Sequence, residues 1–167
     1  MDYRGTLIAV QDMERSKAFY CGLFGMTVTA DFGANVALSG GLYLQTAESW
    51  QGILQLPPEK IYFVGSASEL YFETDDFDNF MDLLYEISDI SFVHPPKEHP
   101  WGQRAVRFYD PDRHIIEVGE KMETVVHRFL SAGLSAEETA QRMDVPISYV
   151  EKIAEEDDAA LLFSLLT

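Results

Sequence analysis

Hydrophobic and polar positions change their period several times along the chain, and each change marks a short element. Thr6 to Val10 is an apolar run of strand type, after which Asp12 offers an N-cap to a helix from about Met13 to Phe24. On that helix Phe19 with Leu23, and Tyr20 with Phe24, recur at the i, i+4 spacing of a face packed on a sheet, and Gly25 supplies the stop. Met26 to Ala30, Asn35 to Ser39 and Leu42 to Thr46 read as three further strands separated by Asp31-Phe32-Gly33 and Gly40-Gly41. Residues 48 to 68 break the pattern with Trp50, Gly52, Pro57, Pro58 and Gly65, and are expected to link two modules with some ordered structure of their own.

From Glu69 the same order returns. Glu69 to Thr74 is a strand, and Asp75-Asp76 caps a helix whose apolar stripe is Phe77, Phe80, Met81, Leu84 and Ile87. Asp89 to Val93, cut short by Pro95, Pro96 and Pro100, is followed by strands from Arg104 to Tyr109 and from His114 to Val118. Counting supports a duplication: Asp12 set opposite Asp76 pairs Gly5 with Glu69, and Gly41 set opposite Arg113 pairs Gln45 with Glu117. The expected class is α+β, with two βαβββ modules at 1–47 and 69–120, a linker at 48–68, and a helical extension at 121–167.

The stretch WGQRAVRFYDPDRHIIEVGE, from Trp101 to Glu120, carries the clearest chemical hint. Asp110-Pro111-Asp112 supplies turn chemistry between two strands, and period-two alternation puts Ile115 and Glu117 on one face with Ile116 and Val118 on the other. A carboxylate set there is expected to be solvated or functional. The turn followed by IIE, together with Asp12, Ser16, Phe19 and Tyr20 as a DxxxSxxFY pattern, resembles the vicinal oxygen chelate superfamily of glyoxalases, bleomycin- and fosfomycin-resistance proteins and extradiol dioxygenases. The resemblance covers residues 1 to about 120. It implies that the strands of both modules curl into a cup, with metal ligands on the first and last strand of each module.

Carried over residue by residue, those ligand positions are Gly5, Gln45, Glu69 and Glu117, where the superfamily usually has His, Glu, His and Glu. Gly5 brings no side chain and is expected to leave room for a water or part of a ligand. Without imidazole or thiolate no tightly bound cofactor is expected; Glu69, Glu117 and Gln45 form a hard-oxygen set suited to weak magnesium, manganese or calcium. If chemistry occurs, the resemblance implies a glyoxalase-like lyase or isomerase with Glu117 and Glu69 as the catalytic carboxylates. The alternative is a ligand-sequestering or sensing protein of bleomycin-resistance type, which the departures from the ligand pattern favour.

Around the proline-rich loop, His94, Lys97, His99, Trp101, Gln103 and Arg104 mix cations, imidazoles and an aromatic face, and this loop is the expected recognition element for a small organic molecule. Trp101 offers a stacking surface and Arg104 a fork for a carboxylate or phosphate. Tyr43, Tyr71 and Asn35 are further lining candidates by strand parity. For His94 and His99 the competing expectation is a solvated surface loop.

Composition narrows the partners. A net charge of -16 repels phosphate backbones, so no nucleic acid is expected. The tail pattern GLSAEETAQRMDVPISYVEKI resembles a helix-turn-helix unit, but residues 121–167 hold four basic and nine acidic side chains, which argues for packing or dimer contact instead. No apolar run approaches the roughly 20 residues of a membrane span, and the N-terminus lacks signal-peptide architecture. With a single cysteine, Cys21, set among Phe19, Tyr20 and Leu23, the expectation is a cytoplasmic protein without disulfides. Leu161, Leu162, Phe163, Leu165 and Leu166 are too apolar to lie free, and a homodimer is expected.

Overall fold

The computed structural model describes the backbone of residues 1–165 and the side chains of residues 1–156. The first module is β1 (Thr6–Val10), α1 (Met13–Phe24), β2 (Val28–Asp31), β3 (Asn35–Leu38) and β4 (Leu42–Thr46). Its sheet order is β1-β4-β3-β2, with β1 parallel to β4 and the other neighbours antiparallel. Helix α2 (Ala47–Leu54) begins at the last residue of the expected first module and runs into the stretch expected to be a linker. The second module repeats the order as β5 (Glu69–Thr74), α3 (Phe77–Glu86), β6 (Ser91–Glu98), β7 (Arg104–Tyr109) and β8 (Ile115–Glu120), with sheet order β5-β8-β7-β6. Helices α4 (Met122–Ser131), α5 (Ala136–Met143) and α6 (Ile147–Leu165) follow. The fold is α+β with two four-stranded mixed sheets and a helical extension.

The duplication is visible in backbone geometry. Asp12 and Asp76 are both N-caps whose carboxylates accept a backbone N–H three residues on, each at 3.0 Å. Gly41 and Arg113, paired by counting, both adopt left-handed backbone, with φ of 82° and 74°. Arg113 has a β-carbon where glycine is preferred, and its guanidinium lies over the Tyr109 ring at 3.8 Å.

Contacts divide the chain into two compact units. The first comprises Met1–Leu70, Asp89–Val93 and Phe108–Ile116; the second comprises Tyr71–Ser88, His94–Arg107 and the chain from Glu117 onward. In the first, the DxxxSxxFY pattern and the DPD turn prove to be two halves of one lock. Buried Asp112 accepts from the Gln11 backbone at 3.1 Å and from Ser16 Oγ at 3.2 Å. Buried Asp110 accepts the Tyr20 hydroxyl proton at 2.7 Å, and its other oxygen takes the N–H groups of Asp112 and His114 at 2.9 and 2.8 Å. Burial, then the Asp110 charge, raises the pKa of the Tyr20 phenol far above its ordinary value.

The second unit has its own helical core of Val125, Val126, Phe129, Ala140, Met143, Val150 and Ile153. Ser135 and Glu138 form a capping box at the start of α5. The apolar tail residues Leu161 to Leu166, on which the expectation of a dimer rests, lie outside the described side chains.

Two expectations are corrected. Strand β6 does not stop at Val93 but runs through Pro95 and Pro96 to Glu98. It is an edge strand, where a residue without an N–H removes no ladder bond if that side faces outward. His94 and Lys97 therefore sit on a strand rather than in a loop. Ile87 is the C-cap of α3 rather than part of its buried stripe, and is 39% exposed.

Candidate functional site

Most of the expected recognition residues gather in the second unit. His99 to Gln103 form the hairpin loop between β6 and β7, closed by the His99 N–H on the Gln103 carbonyl at 2.8 Å and the Gly102 N–H on the His99 carbonyl at 2.9 Å. The loop stacks the His99 and Trp101 rings in parallel, 4.4 Å apart, and leaves Trp101 37% exposed. Burial pulls the pKa of His99 below its ordinary value, helped by the positive surroundings of Lys97, Arg107 and His94. His99 Nε2 is a buried atom without a hydrogen-bond partner among the described residues.

Gln103 connects the loop to the sheet. Its Oε1 accepts the Trp101 indole N–H at 3.1 Å, while its Nε2 donates to the Tyr71 hydroxyl at 3.1 Å and to the Glu120 carbonyl at 2.8 Å. Tyr71 passes its own proton to Glu73 at 2.8 Å, so the chain of donors runs from indole through amide and phenol to a carboxylate. Burial, then the bond to Glu73, raises the pKa of the Tyr71 phenol. Gly119 makes this possible: a β-carbon there would stand 2.8 Å from Gln103 Nε2. Gln103 is buried and central, yet sequence reasoning ranked it below its neighbours. The available signal was an amide entering a strand opposite a glycine.

Glu117, expected to be either solvated or functional, is shielded from solvent. It is 6% exposed and forms a close ion pair with Arg107 Nη2. Every residue of β8 is buried, so period-two parity alone does not separate a wet face from a dry one. Arg104 also differs from the expected anion fork. Its Nε and Nη2 donate to Glu120 Oε1 at 3.0 and 2.8 Å, its Nη1 to Asp78 at 2.8 Å, and its backbone N–H to Glu120 Oε2 at 2.9 Å.

Gln45, Tyr43 and Glu69 belong to the first unit and Glu117 to the second. Gln45 is buried with both ends of its amide used: Oε1 accepts from Asn35 Nδ2 at 2.8 Å, and Nε2 donates to Ser49. Gly5 is a position that admits no side chain. At φ 145° a β-carbon on it would lie 1.9 Å from the Gly41 carbonyl oxygen and 2.9 Å from Tyr43 Cε2, so the backbone itself forbids a ligating side chain. Glu69 lines a cavity of about 290 Å³ together with Thr6, Tyr62, Phe63, Arg113 and His114. Among the described residues no three His, Cys, Asp or Glu side chains are grouped closely enough to hold a metal ion, and no helix is long and apolar enough to cross a membrane.

Residues 3–123 match the family model described as a glyoxalase-like domain. The structure is similar to a protein of unknown function from Agrobacterium tumefaciens str. C58, at 32% identity over 73% of this chain and 95% of that one, with a TM-score of 0.64. It also resembles a glyoxalase-related enzyme from Fulvimarina pelagi (17% identity, 72% and 88% of the two chains, TM-score 0.61). A third similar structure is a glyoxalase/bleomycin resistance protein/dioxygenase family enzyme from Burkholderia phytofirmans PsJN (18% identity, 70% and 96%, TM-score 0.61). No curated protein matches the sequence. Two βαβββ modules, a lock built from the DxxxSxxFY and DPD residues, and a family match over 3–123 together place this chain in the glyoxalase-like domain family of the vicinal oxygen chelate superfamily.

Proposed function

We propose that the protein binds and sequesters a small planar organic molecule at the second module, without catalysis. The observation that carries this reading is the buried ion pair of Glu117 with Arg107, at the position where the family places a ligating or proton-moving carboxylate. A guanidinium partner favours the charged carboxylate and opposes proton uptake, which weakens the lyase or isomerase reading. Recognition falls instead to ring faces and hydroxyls. Trp101 and Tyr71 are 37% and 52% exposed, and Gln103 ties both to one network. Stacking on such rings with one or two hydrogen bonds supplies about 1–3 kcal/mol per contact.

The test uses a Trp50→Phe background, in which Trp101 is the remaining indole of the two in the sequence. Phenol and 4-hydroxybenzoate serve as neutral and anionic planar probes, followed by Trp101 emission and by ligand-observed NMR. Saturable binding that is lost in Trp101→Ala and weakened in Tyr71→Phe is expected; probes that bind equally well to Trp101→Ala would overturn the reading.

The same donor set leads us to infer that zinc and nickel are not held tightly. Gly5 lacks a side chain, the Gln45 amide is committed to Asn35 and Ser49, and Glu117 faces Arg107. Any magnesium, manganese or calcium held by Glu69 or Glu117 should exchange readily and leave on chelator dialysis without loss of fold. Elemental analysis that finds one zinc per chain after dialysis would contradict this.

A further inference from the structure

We propose that the helical extension is a brace for the recognition loop, with Arg128 and Arg142 as positioning residues that fix the pose of Trp101. This inference rests on the reading of the loop as the binding element. Arg128 and Arg142 both lie beyond the part of the chain that matches the family model, which ends at residue 123. Two arginines from separate helices converge on one loop. Arg128, on α4, donates from Nη2 to the Gly102 carbonyl and to Glu120 Oε2 at 3.1 Å, and from Nη1 to Glu98 at 3.3 Å. Arg142, on α5, donates to the Pro100 carbonyl and to the other oxygen of Glu98 at 3.1 Å. Both residues flanking Trp101 thus have their carbonyls held, and Glu98, the last residue of β6, is clamped between the two guanidiniums.

The ring of Phe129 fills the space behind. Arg128 and Arg142 lie over it at 5.0 and 5.8 Å, and a β-carbon on Gly102 would stand 2.3 Å from Phe129 Cζ. Gly102 also has φ 89°, so glycine is required twice, once for the backbone and once for the ring against it. A hairpin loop ordinarily samples several poses. Here two contacts to loop carbonyls, two to Glu98 at its base and a ring hold a single one, and a pre-ordered loop binds more tightly because less ordering remains to be done on association.

The His99–Trp101 stack gives a readout that needs no ligand. In the Trp50→Phe background, protonation of the stacked imidazole quenches Trp101, and the transition should fall below the ordinary histidine value because His99 is partly desolvated. Arg128→Met and Arg142→Met should move that midpoint up toward the ordinary value and raise acrylamide quenching of Trp101. Ser135→Ala, which removes the α5 capping box without touching the loop, controls for lost helix stability and should leave the titration in place. Phenol and 4-hydroxybenzoate are then titrated into each folded variant, and a rise in Kd of about 5-fold or more is expected for Arg128→Met. A changed titration with weaker probe binding supports the brace. A changed titration when neither probe binds the parent protein leaves the brace standing and removes the binding reading. An unchanged titration in both arginine variants overturns the brace, whatever the probes do.

Discussion

Glu120 is fully buried and holds three groups together: the side chain and backbone N–H of Arg104, and the guanidinium of Arg128. Burial acts to raise its pKa, but the hydrogen bonds from Arg104 and the charge of Arg128 outweigh it and leave the carboxyl below its ordinary value. A group whose folded pKa is depressed contributes stability that is present above its unfolded pKa and lost as pH falls through the folded value. The contribution should therefore be intact near neutrality and fade below about pH 4.5. Glu120→Gln is expected to lower stability at pH 7 and to flatten the acid limb of stability against pH, as measured by denaturant unfolding from pH 7 down to 3. Arg104→Ala is expected to cost about 3 kcal/mol, because it removes one partner of a buried charge. Had Arg104 been an anion fork facing solvent, its loss would scarcely move the midpoint. Sequence reasoning singled out Trp101 and His99 because rings and imidazoles stand out as chemistry, and Tyr71 by strand parity. The Arg104–Glu120 pairing was not legible because Glu120 is sixteen residues away on another strand, and pairing across strands is not written in spacing.

At the scale of elements, the helix-to-turn lock was legible only as a pattern. Ser16 and Tyr20 are spaced to share one face of α1, and what that face meets is the DPD turn, about ninety residues later. The motif and the turn were each readable; that they are partners was not. Tyr20→Phe removes one donor from buried Asp110 while keeping the ring, so it should cost about 1–3 kcal/mol in denaturant unfolding. A loss below about 0.5 kcal/mol would show that His114 and the turn's backbone N–H groups suffice for Asp110. Strand β6 was read too short because proline was treated as a stop, whereas at an edge it serves as a guard. Pro95→Thr with Pro96→Thr restores two N–H groups, of which strand alternation turns one toward the open edge. Chain association should then appear in light scattering at concentrations where the parent stays unchanged.

The whole molecule sets 28 acidic against 12 basic residues, and the arginines described above are largely committed to particular carboxylates. Most of the remaining negative charge is at the surface, where like charges repel and the compact state pays electrostatically for holding them close. Screening changes that balance. The Debye length falls from about 30 Å at 0.01 M salt to about 10 Å at 0.1 M, short enough to quiet repulsion across a molecule of this size. Exposed pairs such as Lys17 with Glu14 weaken under the same conditions, but such pairs contribute about 0–1 kcal/mol each. Pairs involving Glu117 and Glu120 are sheltered by burial and screened less. Repulsion is the larger of the salt-sensitive effects, so Tm at pH 7 should rise as sodium chloride is raised from 10 to 300 mM. Thermal melts at fixed pH check this directly, and a fall in Tm over that range would mean that attractive surface pairs outweigh the net charge.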